Sequence, residues 1–129
     1  MKKTALWICL CLFVASPSFA ACDSGTEITG KNGHVYCKSN ITMNWYTAFS
    51  WCDAQGRTLA TMEQMCDDVY SWDVTTGTGK CLNMEQALSE GQSAWSTIPY
   101  DSGRAINVNL STANVGVYTR MGDLYALCW

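Results

Sequence analysis

The rhythm of hydrophobic and polar positions changes several times along this chain, and each change predicts an element. Ala5 to Ala15 is an apolar run containing Leu6, Trp7, Ile8, Leu10, Leu12, Phe13 and Val14. Over residues 43–55 the apolar positions Trp45, Ala48, Phe49 and Cys52 fall at i, i+3, i+4 and i+7, the stripe of one helix face. Thr42 or Asn44 can cap its start, and Gly56 can end it. Trp51 lies off the stripe, so it packs against another element or is partly exposed. Met62, Met65, Cys66 and Val69 repeat the spacing, with Thr61 and Gln64 in capping-box positions. Asp67 and Asp68 fall on the outer face of this second helix, and its methionines read as core filler. Further on the period becomes two. Ile106, Val108 and Leu110 alternate with Ala105, Asn107 and Asn109, which predicts a strand with one buried and one polar face. Ser111 to Asn114 turns the chain and Val115 and Val117 begin a return strand. Met121-Gly122-Asp123 turns it again into a final apolar strand, Leu124 to Trp129.

Turn chemistry fills the gaps. Residues 22–40 are rich in Gly, Asn, Ser and Thr, and Lys31-Asn32-Gly33 carries a hairpin-turn signal ahead of a short strand at Val35–Cys37. Residues 73–93 read as loop. Gly79-Lys80 is not a phosphate loop, because Val74 stands where the motif needs its first glycine and Cys81 where it needs Ser or Thr. The order is hairpin, two helices, long loop and antiparallel strands, an α+β domain.

Lys2 and Lys3 precede the apolar run, and Ser18 and Ala20 are the small residues that a signal peptidase reads, so residues 1–20 form a signal peptide cleaved before Ala21. The run falls short of the ~20 apolar residues that a membrane span needs. Phe19-Ala20-Ala21-Cys22 also resembles a lipobox, which would put a lipid anchor on Cys22. Ordinary cleavage leaves residues 21–129 as a single domain with an even set of cysteines: Cys22, Cys37, Cys52, Cys66, Cys81 and Cys128. In a short exported chain these read as three disulfides. Six cysteines allow fifteen pairings, and spacing does not choose among them. Zinc is the weaker reading, since the mature part has no C-x-x-C and His34 is its sole histidine.

Charge removes another class. The formal charge is −3 and becomes −5 without Lys2 and Lys3. Lys31, Lys38, Arg57, Lys80, Arg104 and Arg120 are scattered, whereas nucleic-acid binding wants clustered basic residues.

One resemblance stands out. Trp45-Tyr46-x-Ala48-x-x-x-Cys52-x-x-x-Gly56-x-x-Leu59-Ala60-Thr61 is similar to the stretch that crosses the first helix of C-type lectin-like domains. Ala94-Trp95-Ser96-Thr97, the strand hairpin and Ala126-Leu127-Cys128 resemble a bacterial branch, the C-terminal domain of Legionella collagen-like adhesins and related secreted proteins. The resemblance covers about residues 36–129. It implies two helices packed on antiparallel strands and the pairs Cys52–Cys128 and Cys22–Cys37, leaving Cys66 with Cys81. The calcium and sugar motifs of that superfamily, E-P-N or Q-P-D and W-N-D, have no match around Pro99, so no metal and no cofactor is expected.

The function this reading favours is a secreted, periplasmic or cell-surface binding or adhesion module that recognises a protein or glycan without calcium. Loops on a cross-linked scaffold are where recognition concentrates, and the candidate contacts are Tyr100, Asp101, Arg104, Asn107, Asn109, Tyr118, Arg120 and Asp123. The bland alternative is that Asn107 and Asn109 are simply the solvated face of a strand. Trp95 and Trp129, next to core positions of the family, read as core. The alternatives are a hypervariable receptor-binding protein or a pilus or assembly component. An enzyme ranks below these: His34 has no evident partner and no nucleophile stands beside a base.

Overall fold

The computed structural model describes residues 22–30, 33–84 and 92–129. The leader expected at residues 1–20 and residues 85–91 of the expected long loop lie outside them. The elements run β1 (Gly25–Thr29), β2 (Val35–Met43), α1 (Trp45–Ala54), α2 (Met62–Cys66), β3 (Tyr70–Asp73), β4 (Thr78–Cys81), β5 (Ser93–Pro99), β6 (Arg104–Asn109), β7 (Asn114–Thr119) and β8 (Leu124–Cys128). The strands form one sheet in the order β1-β2-β8-β5-β6-β7-β4-β3. Neighbours are antiparallel except β5 and β8, which run parallel. The last strand thus lies between the first hairpin and the middle of the sheet.

The two helices begin as their capping residues dictate. Asn44 Oδ1 accepts the N–H of Thr47 at 2.9 Å, and Thr61 and Gln64 exchange both bonds of a capping box at 3.0 and 2.9 Å. Gly56, at φ 68°, turns the chain away after α1. Trp45, Ala48 and Cys52 are buried as expected, but Phe49 is 37% exposed and meets the Trp45 ring in a T-shaped contact. The second helix stops at Cys66. Asp67 and Asp68 adopt left-handed backbone at φ 51° and 60°, and the Asp68 N–H closes onto the Glu63 carbonyl at 2.9 Å. They end the helix instead of decorating its outer face, and Val69, expected on the buried stripe, is left exposed.

The expected loop over residues 73–93 is in part a hairpin. β3 and β4 pair from Tyr70↔Cys81 to Asp73↔Thr78. Asp73 Oδ1 accepts the N–H groups of Thr75 and Thr76, and Gly77, at φ 66°, closes the turn. The short strand expected at Val35–Cys37 extends to Met43, because β8 pairs along its far side.

Successive strand residues face opposite sides of a sheet, which separates the core into two layers. Trp95, Ala126 and Cys128 pack with Ala48 and Cys52 of α1. Their neighbours Ala94 and Leu127 pack with Met62, Met65 and Cys66 of α2 and with Ile106, Val108 and Leu110. The helices therefore lie on opposite faces. Ala105 was expected on a solvated face but is fully buried, because that face is roofed by the α1 layer at this end. Three disulfides bind the layers: Cys22–Cys37, Cys52–Cys128 and Cys66–Cys81. A thioether lipid anchor on Cys22 would need the same sulfur that here bonds Cys37.

Candidate functional site

The expected contact residues divide into two groups. Tyr100, Asp101, Arg104 and Arg120 come together where the β5–β6 turn meets the end of β7, and they bond to one another and to nearby backbone. Asp101 Oδ1 accepts the N–H groups of Gly103 and Arg104 at 3.0 and 2.7 Å, and Oδ2 accepts Arg104 Nε at 2.7 Å. The Arg104 guanidinium, with these backbone N–H groups, holds the Asp101 carboxyl below its ordinary range, and the carboxylate raises Arg104 in turn. Arg120 donates through Nη2 to the Asp101 carbonyl and through Nε to the Arg104 carbonyl. Arg120 also lies 4.8 Å above the Trp45 ring, and its carbonyl accepts the Trp45 N–H at 2.9 Å. Tyr100 donates its hydroxyl to the Val74 carbonyl at 2.9 Å and sits under Arg104. This cluster clips two turns to each other and to the start of α1.

Asn109 is likewise structural. Its Oδ1 accepts the Ser111 N–H, the Ser111 hydroxyl and the Thr112 N–H at 2.9–3.0 Å, holding the β6–β7 turn. Asp123 is exposed in the β7–β8 turn. Trp95 is fully buried, with its indole N–H on the Met43 carbonyl at 2.8 Å. Trp129 is only half-buried, and His34 stacks on it at 3.4 Å with Tyr36 edge-on to both. His34, which the sequence left without an evident partner, thus sits among rings.

The second group lies on the face that α1 roofs over β8 and β5. Past Ala105, the same face of β6, β7, β4 and β3 carries Asn107, Tyr118, Asn114, Thr78, Lys80, Ser71 and Asp73. The register sets the rows: Trp95↔Asn107↔Gly116, Ala105↔Tyr118, Asn114↔Lys80↔Ser71. Among the described residues no helix covers this half. A side chain built at Gly116 would meet open space. Tyr118 is 45% exposed and rests on Gly122, where a Cβ would fall 2.1 Å from the ring edge. Thr78 and Lys80 were missed in the sequence because residues 73–93 read as loop, and Asn114 because it reads as the end of a turn. No metal-sized cluster of His, Cys, Asp or Glu occurs among the described residues.

Two clefts among the described residues each hold about 510 Å³. One runs beside α1, lined by Phe49, Asp53, Leu59 and Thr97. The other lies between the first hairpin, the chain after α1 and the last residue, lined by Glu27, His34, Gly56, Arg57 and Trp129.

No family model matches the chain, and no curated protein matches it.

Proposed function

We propose that the protein is a secreted, periplasmic or surface-exposed binding and adhesion module of the C-type lectin-like type, which engages a protein or glycan partner without calcium through its open sheet face. The observation that carries this reading is the unequal cover of one sheet face. Its α1 half is dry and packed, while its β6–β7–β4–β3 half presents amides, hydroxyls, Lys80 and the Tyr118 ring on a cross-linked support. Tyrosine supplies contact area at low entropic cost, and a rigid support reduces what ordering costs on binding. Neither cleft is lined by this face, which suits a macromolecular partner rather than a small molecule, since the latter prefers a concavity.

Three features support the lectin-like part of the proposal. The helices lie on opposite faces of one sheet, the first hairpin pairs with the last strand, and Cys52 bonds Cys128. Three disulfides support an oxidising destination, and no helix among the described residues is long and apolar enough to cross a membrane.

The test is a capture screen of the oxidised domain against glycans, host-matrix proteins and bacterial surface material, run beside Tyr118→Ala and Asn107→Ala. A partner held by the native face and released by these variants supports the reading. A hydrolytic or transfer activity that survives purification with no partner captured overturns it. The hypervariable receptor-binding reading uses the same face. It expects differences between related strains at Asn107, Tyr118 and their neighbours, sparing Arg120 and Asn109, whose side chains hold turns.

A further inference from the structure

The core layer under α1 gathers two of the three disulfides. The register sets Cys37 of β2 directly opposite Cys128 of β8, and directly opposite residues of an antiparallel pair point to the same face. Cys37, Cys128 and Cys52 of α1 are fully buried in this one layer, and Cys22 packs against it. The Cys22–Cys37 and Cys52–Cys128 bridges therefore lie side by side, with one cysteine of each facing the other across two paired strands.

The backbone sets the spacing. The Ala60 N–H donates to the Leu127 carbonyl and the Trp129 N–H to the Thr58 carbonyl, both at 2.8 Å. Those groups of Leu127 and Trp129 point to the Leu59 side, so Cys128 turns its own N–H and carbonyl toward Cys37. Opposite residues in that position have Cα atoms about 5.5 Å apart. Each existing bridge spans 5.5 Å between Cα atoms, so a third pairing, Cys37–Cys128, falls within disulfide reach on the same backbone. Exposure separates the four cysteines: Cys22 is partly exposed and the other three are fully buried.

We propose that the two bridges form a relay through which an external thiol at Cys22 releases α1 from β8. The external thiolate attacks Cys22 Sγ, forms a mixed disulfide there and expels Cys37 as a thiolate. Cys37 Sγ then attacks Cys128 Sγ. The Cys37–Cys128 bond forms, and Cys52 leaves as a thiolate that takes a proton from water. One external thiol is consumed and the number of S–S bonds is unchanged, so the relay needs no net reduction. The new bridge closes a loop comparable in length to the one it replaces, so chain entropy gives little preference to either. The consequence falls on α1. Its covalent tie is lost while β2 and β8 become joined, which frees the helix to lift from the sheet face it roofs. The step asks nothing of the open half of the sheet.

The probe is reduced glutathione, added to the oxidised protein at mildly alkaline pH, where thiols ionise. An acid quench, alkylation of free thiols in denaturant and mass mapping then read the bridges. The expected product carries glutathione on Cys22, a Cys37–Cys128 bridge and an alkylated Cys52, with faster amide exchange along α1. A free Cys37 beside an intact Cys52–Cys128 bridge overturns the proposal. Two variants test the relay without glutathione. Cys22→Ser begins with the Cys37 thiol in place, whereas Cys22→Ser combined with Cys37→Ser loses the same bridge and leaves no such thiol. Free Cys52 should be at least about tenfold more abundant in the first, because only there is a thiol held beside Cys128. Equal amounts in the two variants, or a Cys22→Ser protein in which Cys37 alone is alkylated, overturn it as well.

Discussion

The two halves of one sheet face carry similar strands and opposite surfaces. Over β8 and β5 the outward residues are Trp95, Ala126 and Cys128, with Ala105 next to them on β6, all fully buried against the α1 layer. Over the rest of β6 and over β7, β4 and β3 they are amides, hydroxyls, Lys80 and Tyr118. The difference lies in what roofs each half. A strand buried on both faces loses its alternation, as around Ala105, and a strand with one open face keeps it. Alternation alone therefore marks a strand but does not tell whether its polar face is functional. Cover is what separates the two halves, and cover is set by where α1 is tied.

The tie is Cys52–Cys128, so the largest expected effect is its removal. The bridge spans 76 residues, and its loss as a Cys52→Ala, Cys128→Ala pair should cost about 4.5 kcal/mol on the chain-entropy scale. Cys66–Cys81 spans 15 residues on the opposite face of the sheet, and its loss should cost about 3 kcal/mol. Urea melts of the two double variants check the order. Equal losses would mean that loop length does not govern the pair.

Next comes the contrast between aromatic residues. Trp95→Ala opens a cavity in the covered half and should cost about 3–5 kcal/mol. Tyr118→Ala, on the open half, should stay within about 1 kcal/mol. Thermal unfolding of the two variants measures this. A Tyr118→Ala loss as large as that of Trp95→Ala would make Tyr118 part of the core.

Gly122→Ala sharpens the comparison further. Its Cβ would meet the Tyr118 ring at 2.1 Å, and that ring is 45% exposed, so the side chain rather than the backbone has to give. Stability should change by about 0.5 kcal/mol or less, while the tyrosine ring signals shift in an NMR spectrum. At Gly79 the same substitution meets the Ser71 carbonyl at 2.2 Å, and backbone has no such freedom. Gly79→Ala should therefore loosen the β3–β4 hairpin, seen as faster amide exchange there.

The smallest effect is electrostatic. Asp101 ionises below its ordinary range because Arg104 and two N–H groups bind its carboxylate. A depressed carboxyl contributes stability that is present above the unfolded pKa and is lost as pH falls through the folded one. Arg104→Ala should move the Asp101 midpoint upward, read from its carboxyl carbon during an NMR titration. An unmoved midpoint would mean that the N–H groups alone depress it.

Local chemistry in this chain was legible, and long-range chemistry was not. Asn44, Thr61 and Gln64 act within one helical turn, so their roles show in spacing alone. The disulfide pairs followed from a resemblance, and the cysteines meet in those pairs. The β3–β4 hairpin was hidden because its strands are four residues long and its turn is rich in threonine and glycine. The end of α2 was hidden because two aspartates take left-handed backbone, which spacing does not announce. Among the candidate contacts, Asn107 and Tyr118 lie on the open half. Arg104 and Arg120 do not serve there, because their acceptors are Asp101 and backbone carbonyls brought close only by the fold. His34 and Trp129 are ninety-five positions apart and meet only because β2 and β8 pair.

The comparison of the two halves is tested most directly by one paired capture measurement. The oxidised domain and its Tyr118→Ala variant are passed over the same array of glycans, matrix proteins and bacterial surface material, with Arg104→Ala as a control for the clipped turns. The account predicts a partner that the native and Arg104→Ala proteins hold and Tyr118→Ala releases. A partner held equally by Tyr118→Ala would contradict it, and would move recognition off the open half of the sheet.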